Sequence, residues 1–125
     1  MNSFEIVREF ERKVAEFAGS KYAVAVNTGT SAIFLSLMYC KAHVYKGGPV
    51  VLPAKTFISV PAAVIHAGMD VKFVDYEWTG IYQLCPHPVY DGALRFKKGM
   101  YKEGLHCLSF HARKLKYRRR GDGIN

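Results

Sequence analysis

The feature that most constrains the fold is an alternation of helix-like and strand-like apolar segments up to Tyr76. In SFEIVREFERKVAEFAG, apolar residues recur three and four positions apart, which predicts an amphipathic helix with Ser3 as N-cap and Gly19 as a stop. Three strands and two more helices then alternate along the chain. The strands are predicted in KYAVAVN, GGPVVLPA and DVKFVDY, and the helices in TGTSAIFLSLMYCKAHV and TFISVPAAVIHAG. This order predicts an α/β fold with a mainly parallel sheet and helices on both faces.

The pattern is less regular beyond Tyr76. EWTGIYQLCPHP is loop-like, PVYD is a short strand that ends in Asp91, and LHCLSFH is a second strand. The final segment, KYRRRGDGIN, has no apolar periodicity, so it supports no structural prediction. We therefore expect one domain over residues 1–115, followed by an atypical basic tail, residues 116–125, that is not part of the fold.

The net charge of +8 is concentrated at one end of the 125-residue chain. Residues 1–112 contain twelve basic and nine acidic side chains, whereas residues 113–125 contain six basic and one acidic. One hypothesis is a small basic protein that binds nucleic acid phosphates through residues 113–120. The nearly neutral body and the absence of interleaved aromatic residues in that segment argue against it, so nucleic acid is not the expected partner.

The remaining composition favours a cytoplasmic protein. The three cysteines, Cys40, Cys85 and Cys107, are odd in number and lack CxxC spacing, which indicates reduced and mostly buried thiols. The N-terminal residues are charged from Glu5 onward, unlike a signal peptide, and no apolar run is long enough to span a bilayer. Five scattered histidines lack ligand spacing, so we expect no metal site.

Chemically distinctive residues follow four of the predicted strands. Ligands bind at the carboxyl ends of strands in open parallel sheets, so these residues are expected to meet there. Each also has an ordinary explanation, as an N-cap, a core aromatic, a turn residue or a solvated charge. NTGTS follows the first strand and would bind a phosphate through backbone amides and through Thr28, Thr30 and Ser31. Phe57 follows the second strand, and Asp91 follows the PVY strand. Ser109 and Lys114 follow the last strand.

Taken together, these residues supply what a pyridoxal 5'-phosphate site requires. A lysine forms the Schiff base with the cofactor aldehyde and moves the proton in transamination. A carboxylate keeps the pyridine nitrogen protonated, so that the ring accepts electrons. An aromatic side chain stacks on the ring, while hydroxyls and amides hold the phosphate.

Three stretches carry a family resemblance: FERKVAEFAGSKYAVAVNTGTSAIFLSL, LPAKTFISVPAAVIHAGMDVKFVD and SFHARK. They resemble the DegT/StrS-type sugar aminotransferases, which depend on pyridoxal phosphate and have fold type I. The resemblance runs from Phe10 to Asp75 and from Val89 to about Leu115. It implies the three-layer large domain of that fold, with a mainly parallel sheet, and a homodimer with shared active sites.

The resemblance also implies a reaction and a role for each site residue. An amino group, commonly from glutamate, would be transferred to the keto carbon of a sugar nucleotide. Dehydratase relatives replace the lysine by histidine, so Lys114 favours transamination. By the resemblance, Gly29, Thr30 and Ser109 contact the phosphate, Phe57 stacks on the ring, Asp91 pairs with the pyridinium, and Lys114 binds the cofactor covalently.

The chain departs from the family pattern in several places. Only about a dozen residues separate the strand ending near Asp75 from the one carrying Asp91, where the family has a long segment. Leu94 replaces a polar residue of the family. We expect an incomplete large domain without the C-terminal small domain, either a compact enzyme or an inactive fragment. One hypothesis is that residues 116–125 arise from a frameshift, since their codons read one nucleotide later can encode a family-like, glycine-rich continuation.

Overall fold

The computed structural model describes residues 2–44 and 47–110, which contain three helices and five strands. They confirm the predicted α/β class in the form of helices and small sheets. In those residues, no helix is both long and apolar enough to cross a membrane. The elements are α1 (Ser3–Ala18), α2 (Gly29–His43), β1 (Val50–Pro53), α3 (Ser59–His66), β2 (Val71–Val74), β3 (Tyr82–Gln83), β4 (Val89–Asp91) and β5 (Leu105–Cys107).

Helix α1 begins at Ser3, one residue earlier than the sequence predicted. The N-cap is Asn2 and not Ser3: the Asn2 side chain accepts a hydrogen bond from the Glu5 amide at 2.9 Å, and the Glu5 carboxylate accepts one from the Asn2 amide at 3.3 Å. Such a reciprocal capping box needs the acidic residue three positions after the cap, and only Asn2 has that spacing to Glu5. The predicted stop at Gly19 is confirmed by its left-handed φ of 83°.

The strands form two small sheets instead of one continuous parallel sheet. β1 and β2 pair in parallel, with Val50 opposite Val71. In the second sheet β4 lies between β5, which is parallel to it, and β3, which is antiparallel. An isolated antiparallel bridge between Val51 and Cys85 links the two sheets. The interpretation of EWTGIYQLCPHP as loop was wrong at its centre, because β3 lies inside it and pairs with β4.

The strand predicted in KYAVAVN, residues 21–27, is not formed. Its apolar side chains are largely exposed, and Val24 keeps 80% of its surface accessible. Both this segment and β5 line a cavity of about 770 Å³, and in the described residues β5 pairs with β4 alone. The Ala25 amide donates instead to the Glu11 carboxylate at 2.7 Å. The apolar pattern was typical of a strand, but a strand also requires a neighbour.

The core lies where α2 packs on α3 and on strands β4 and β5. Apolar side chains from both sheets and both helices meet there without solvent contact, so this packing holds the second sheet against the first. The fully buried members include Leu37 and Cys40 of α2, Val50 and Leu52 of β1, Val64 of α3 and Val89 of β4.

Truncation of Leu37 tests whether this contact carries the stability of the fold. Leu37 is completely buried, whereas Leu35 on the same helix is 51% exposed. We expect Leu37→Ala to lower the free energy of unfolding by about 2–5 kcal/mol, because it removes buried methyl groups and leaves a cavity. The matched Leu35→Ala variant should change it by less than about 1 kcal/mol. Denaturant titration measures both values; equal losses would contradict this core assignment.

Candidate cofactor-binding site

The first turn of α2 presents backbone amides at the end where the first predicted strand was expected to stop. Thr28 is the N-cap, and its hydroxyl accepts from the Ser31 amide at 3.0 Å and donates to the Ser31 hydroxyl at 3.0 Å. The Ala32 amide donates to the Thr28 carbonyl. Gly29 and Thr30 come before Ser31 in the chain. Their amides have no acceptor within the helix, because the first N–H groups of a helix have no carbonyl one turn before them. They remain at the positive end of the helix, where an anion is stabilised.

Gly29 brings this helix start against the residue that follows β5. A Cβ atom built on Gly29 would lie 3.4 Å from the Ser109 Cβ and 3.8 Å from the Ser109 hydroxyl oxygen. The space between the helix start and Ser109 is therefore about one methyl group wide, and a larger side chain at Gly29 would fill it. Amide and hydroxyl donors from two distant parts of the chain meet here, as a phosphate site requires.

Asp91 is a buried carboxylate at the last position of β4. It is 4% exposed and lies opposite Cys107 in the register with β5, two residues before Ser109. Its Oδ1 accepts from the Ala93 amide at 3.0 Å, and its Oδ2 accepts from the Tyr82 hydroxyl at 2.9 Å. A buried carboxylate needs such donors, and each oxygen keeps a further lone pair. Asp91 therefore has acceptor capacity left for a protonated ring nitrogen.

The turn after β1 is connected to Asp91 through Tyr82. The Thr56 hydroxyl lies 2.5 Å from the Tyr82 hydroxyl, and the Trp78 indole N–H donates to the Lys55 carbonyl at 2.7 Å. Phe57, the next residue of this turn, is 50% exposed, which argues against a core aromatic. The turn thus carries a half-exposed aromatic side chain next to Thr56, which is linked to the carboxylate through Tyr82.

The structure brings together most of the residues that the sequence singled out. Gly29 lies close to Ser109, since a Cβ atom built on Gly29 would be within 4 Å of it, and Asp91 lies on the strand next to the one that leads to Ser109. Phe57 belongs to the turn that Tyr82 joins to Asp91. Lys114 and the basic segment 113–120, on which the nucleic-acid hypothesis rests, lie outside the described residues.

Cys107 is a buried thiol that packs β5 against α2. Its Sγ lies 3.4 Å from the Ser36 hydroxyl oxygen, beside the buried core. Burial raises the pKa of the Cys107 thiol to about 11, with the Ser36 contact acting in the opposite direction. The thiol therefore stays protonated at neutral pH and contributes apolar contact, consistent with the predicted reduced, buried cysteines. Cys40 is also buried, whereas Cys85 is exposed.

Tyr82 is the site residue that sequence reasoning missed. It lies in a segment without clear periodicity, and its hydroxyl bonds to Asp91 only because β3 and β4 pair with Tyr82 opposite Asp91. A signal was present: IYQLC and HPVYD are short apolar segments separated by a proline-containing turn, a pattern typical of a hairpin.

The chain is similar to several curated proteins. It is 40% identical over 72 residues to the spore coat polysaccharide biosynthesis protein SpsC of Bacillus subtilis, and this alignment covers 57% of the chain and 18% of SpsC. It is 34% identical over 77 residues to a GDP-4-keto-6-deoxy-D-mannose 3-dehydratase of Yersinia pseudotuberculosis, which covers 58% and 20% of the two chains. It is also 34% identical over 67 residues to a GDP-perosamine synthase of Caulobacter vibrioides, covering 54% and 18%.

The chain spans about a fifth of the length of these curated relatives. No solved structure matches it. Residues 1–91, nearly three-quarters of the chain, match the sequence pattern of a single family, which confirms the resemblance identified from the motifs. The chain belongs to the DegT/DnrJ/EryC1/StrS aminotransferase family.

Proposed function

We propose that this chain is a pyridoxal-phosphate-dependent aminotransferase that transfers an amino group from glutamate to a keto sugar nucleotide, as a cytoplasmic homodimer. The observation that carries the proposal is the buried carboxylate of Asp91 on β4, in a chain of this family. The neighbouring strand β5 leads to Ser109, which lies close to Gly29 at the start of α2. Relatives named as a GDP-perosamine synthase and a GDP-4-keto-6-deoxy-D-mannose 3-dehydratase support a sugar nucleotide as substrate.

The donor set fits the cofactor at both of its polar ends. The Gly29 and Thr30 amides and the Ser109 hydroxyl would hold the phosphate, because they are donors next to a positive helix end. Asp91 would hold a proton on the pyridine nitrogen through a remaining lone pair. When bound, pyridoxal phosphate supplies an electron sink that stabilises the negative charge developing on the substrate carbon.

Two further residues complete the proposed roles. Phe57 would cover one face of the ring, since half of its surface is accessible in the turn after β1. Lys114, five residues after Ser109, would bind the cofactor covalently and move a proton between substrate atoms. Lys55 is the alternative amine, because it lies in the same turn as Phe57 and is exposed.

Borohydride reduction in the presence of pyridoxal phosphate tests the role of Lys114. We expect a visible absorbance band on addition of the cofactor, and one dominant labelled peptide after reduction, modified at Lys114. Lys114→Ala should lose both the band and the label, because the amine that forms the covalent bond is removed.

Lys116→Ala is the matched control, because it removes a neighbouring lysine of the same basic segment. It should keep the band and the label. Labelling at Lys55, or at many surface lysines equally, would contradict the assignment of Lys114.

Replacing Phe57 tests ring stacking separately from covalent binding. Phe57→Leu keeps an apolar side chain but removes the aromatic face, so we expect the dissociation constant for pyridoxal phosphate to rise about 3- to 10-fold. Phe73→Leu on β2 is the matched control, because Phe73 is 53% exposed and Phe57 is 50% exposed. A fluorescence titration measures both constants; an equal effect of the two variants would rule out a specific stacking role.

A further inference from the structure

Tyr82 makes the closest side-chain contact to Asp91 in the described residues, and none of the roles above involves it. Tyr82 and Asp91 are register partners across the antiparallel β3–β4 pair, so their side chains lie on the same face. The Tyr82 hydroxyl donates to Asp91 Oδ2 at 2.9 Å. Since a phenol has a single proton, the 2.5 Å contact with Thr56 requires the Thr56 hydroxyl to donate to the Tyr82 oxygen. The bonds therefore run in one direction, from Thr56 through Tyr82 to Asp91.

The position of the Tyr82 ring is determined by its surroundings. Trp78 packs edge-on against it, with ring centroids 4.7 Å apart, and the Trp78 indole N–H is bonded to the Lys55 carbonyl. Tyr82 is buried, and burial together with the Asp91 charge raises the pKa of its hydroxyl. The hydroxyl consequently stays protonated, and so remains a donor, at neutral pH.

We propose that Tyr82 is a positioning residue of the cofactor site, orienting the Asp91 carboxylate and fixing its distance from the Thr56–Phe57 turn. The proposal rests on the proposed function, in which Asp91 pairs with the pyridinium nitrogen. With Ala93 on Oδ1 and Tyr82 on Oδ2, rotation of the carboxylate would break two bonds in a buried environment. The remaining lone pairs of the Asp91 carboxylate are thereby oriented before the cofactor binds, which reduces the conformational entropy lost on binding.

The test compares two ligands: pyridoxal phosphate and its carba analogue, in which the ring nitrogen is replaced by C–H. Only pyridoxal phosphate has a nitrogen for Asp91, so the ratio of the two dissociation constants measures that contact alone. The fluorescence of Trp78, the one tryptophan of the chain, reports binding close to Tyr82.

We expect the wild type to bind pyridoxal phosphate more tightly than the carba analogue. In Tyr82→Phe this preference should fall about tenfold, as for the loss of a hydrogen bond to a charged group, while binding of the analogue is unchanged. Tyr101→Phe is the matched control, since its hydroxyl donates to the Gly104 carbonyl and not to the site, and it should keep the full preference.

Three results would overturn the proposal. A Tyr82→Phe variant that folds and keeps the wild-type preference would exclude Tyr82 alone and leave the role of Asp91 intact. If circular dichroism shows that Tyr82→Phe does not fold, Thr56→Val is the second variant, because it removes the hydroxyl that donates to Tyr82. We expect Thr56→Val to reduce the preference for pyridoxal phosphate over the carba analogue. An unchanged preference would exclude a role for the Thr56–Tyr82–Asp91 hydrogen bonds in orienting the carboxylate. A wild type without any preference would exclude the pairing of Asp91 with the cofactor, and this proposal with it.

Discussion

The parallel pairing of β4 with β5 is the interaction on which the candidate site depends. It sets Asp91 opposite Cys107, which lies two residues before Ser109 in the chain. Helix α2 packs on both strands and brings Gly29 into contact range of Ser109. Because one helix covers both strands, its N-terminal amides and the strand-end side chains are held in a single rigid arrangement. Loss of this pairing would separate Asp91 from Ser109, the residues proposed to bind the ring nitrogen and the phosphate.

Outside the candidate site, the described part of the chain leaves apolar surface exposed to solvent. The segment 21–27 has strand-like composition without a pairing partner, and β5 has one edge that faces a cavity of about 770 Å³. Phe4 and Phe10 on α1 are also exposed. Free strand edges and exposed aromatic side chains favour association. This surface is consistent with the proposed homodimer.

Local patterns predicted the helices and most strands, because the apolar periodicity and the end signals of an element depend on residues that are close together in the sequence. The positions of Asp91 and Ser109, at and just beyond the ends of two neighbouring strands, were also predictable, because each follows a short apolar segment. The pairing of residues 21–27 was not predictable, because an apolar run carries no information about whether a partner strand is within reach. The proposed role of Tyr82 depends on the pairing of β3 with β4, two segments with weak apolar patterns. The residue preferences of a single segment do not show which other segment it pairs with.

The central claim is that Asp91 holds a proton on the pyridine nitrogen of bound pyridoxal phosphate. Nitrogen-15 NMR of the complex with ring-labelled cofactor reports that protonation state directly. The account predicts a pyridinium shift in the wild type, maintained to a pH above the pKa of the ring nitrogen in the free cofactor, and its loss in Asp91→Asn, which removes the negative charge and leaves the side-chain shape. An unprotonated nitrogen in the wild type, or a shift unaffected by Asp91→Asn, would contradict the account.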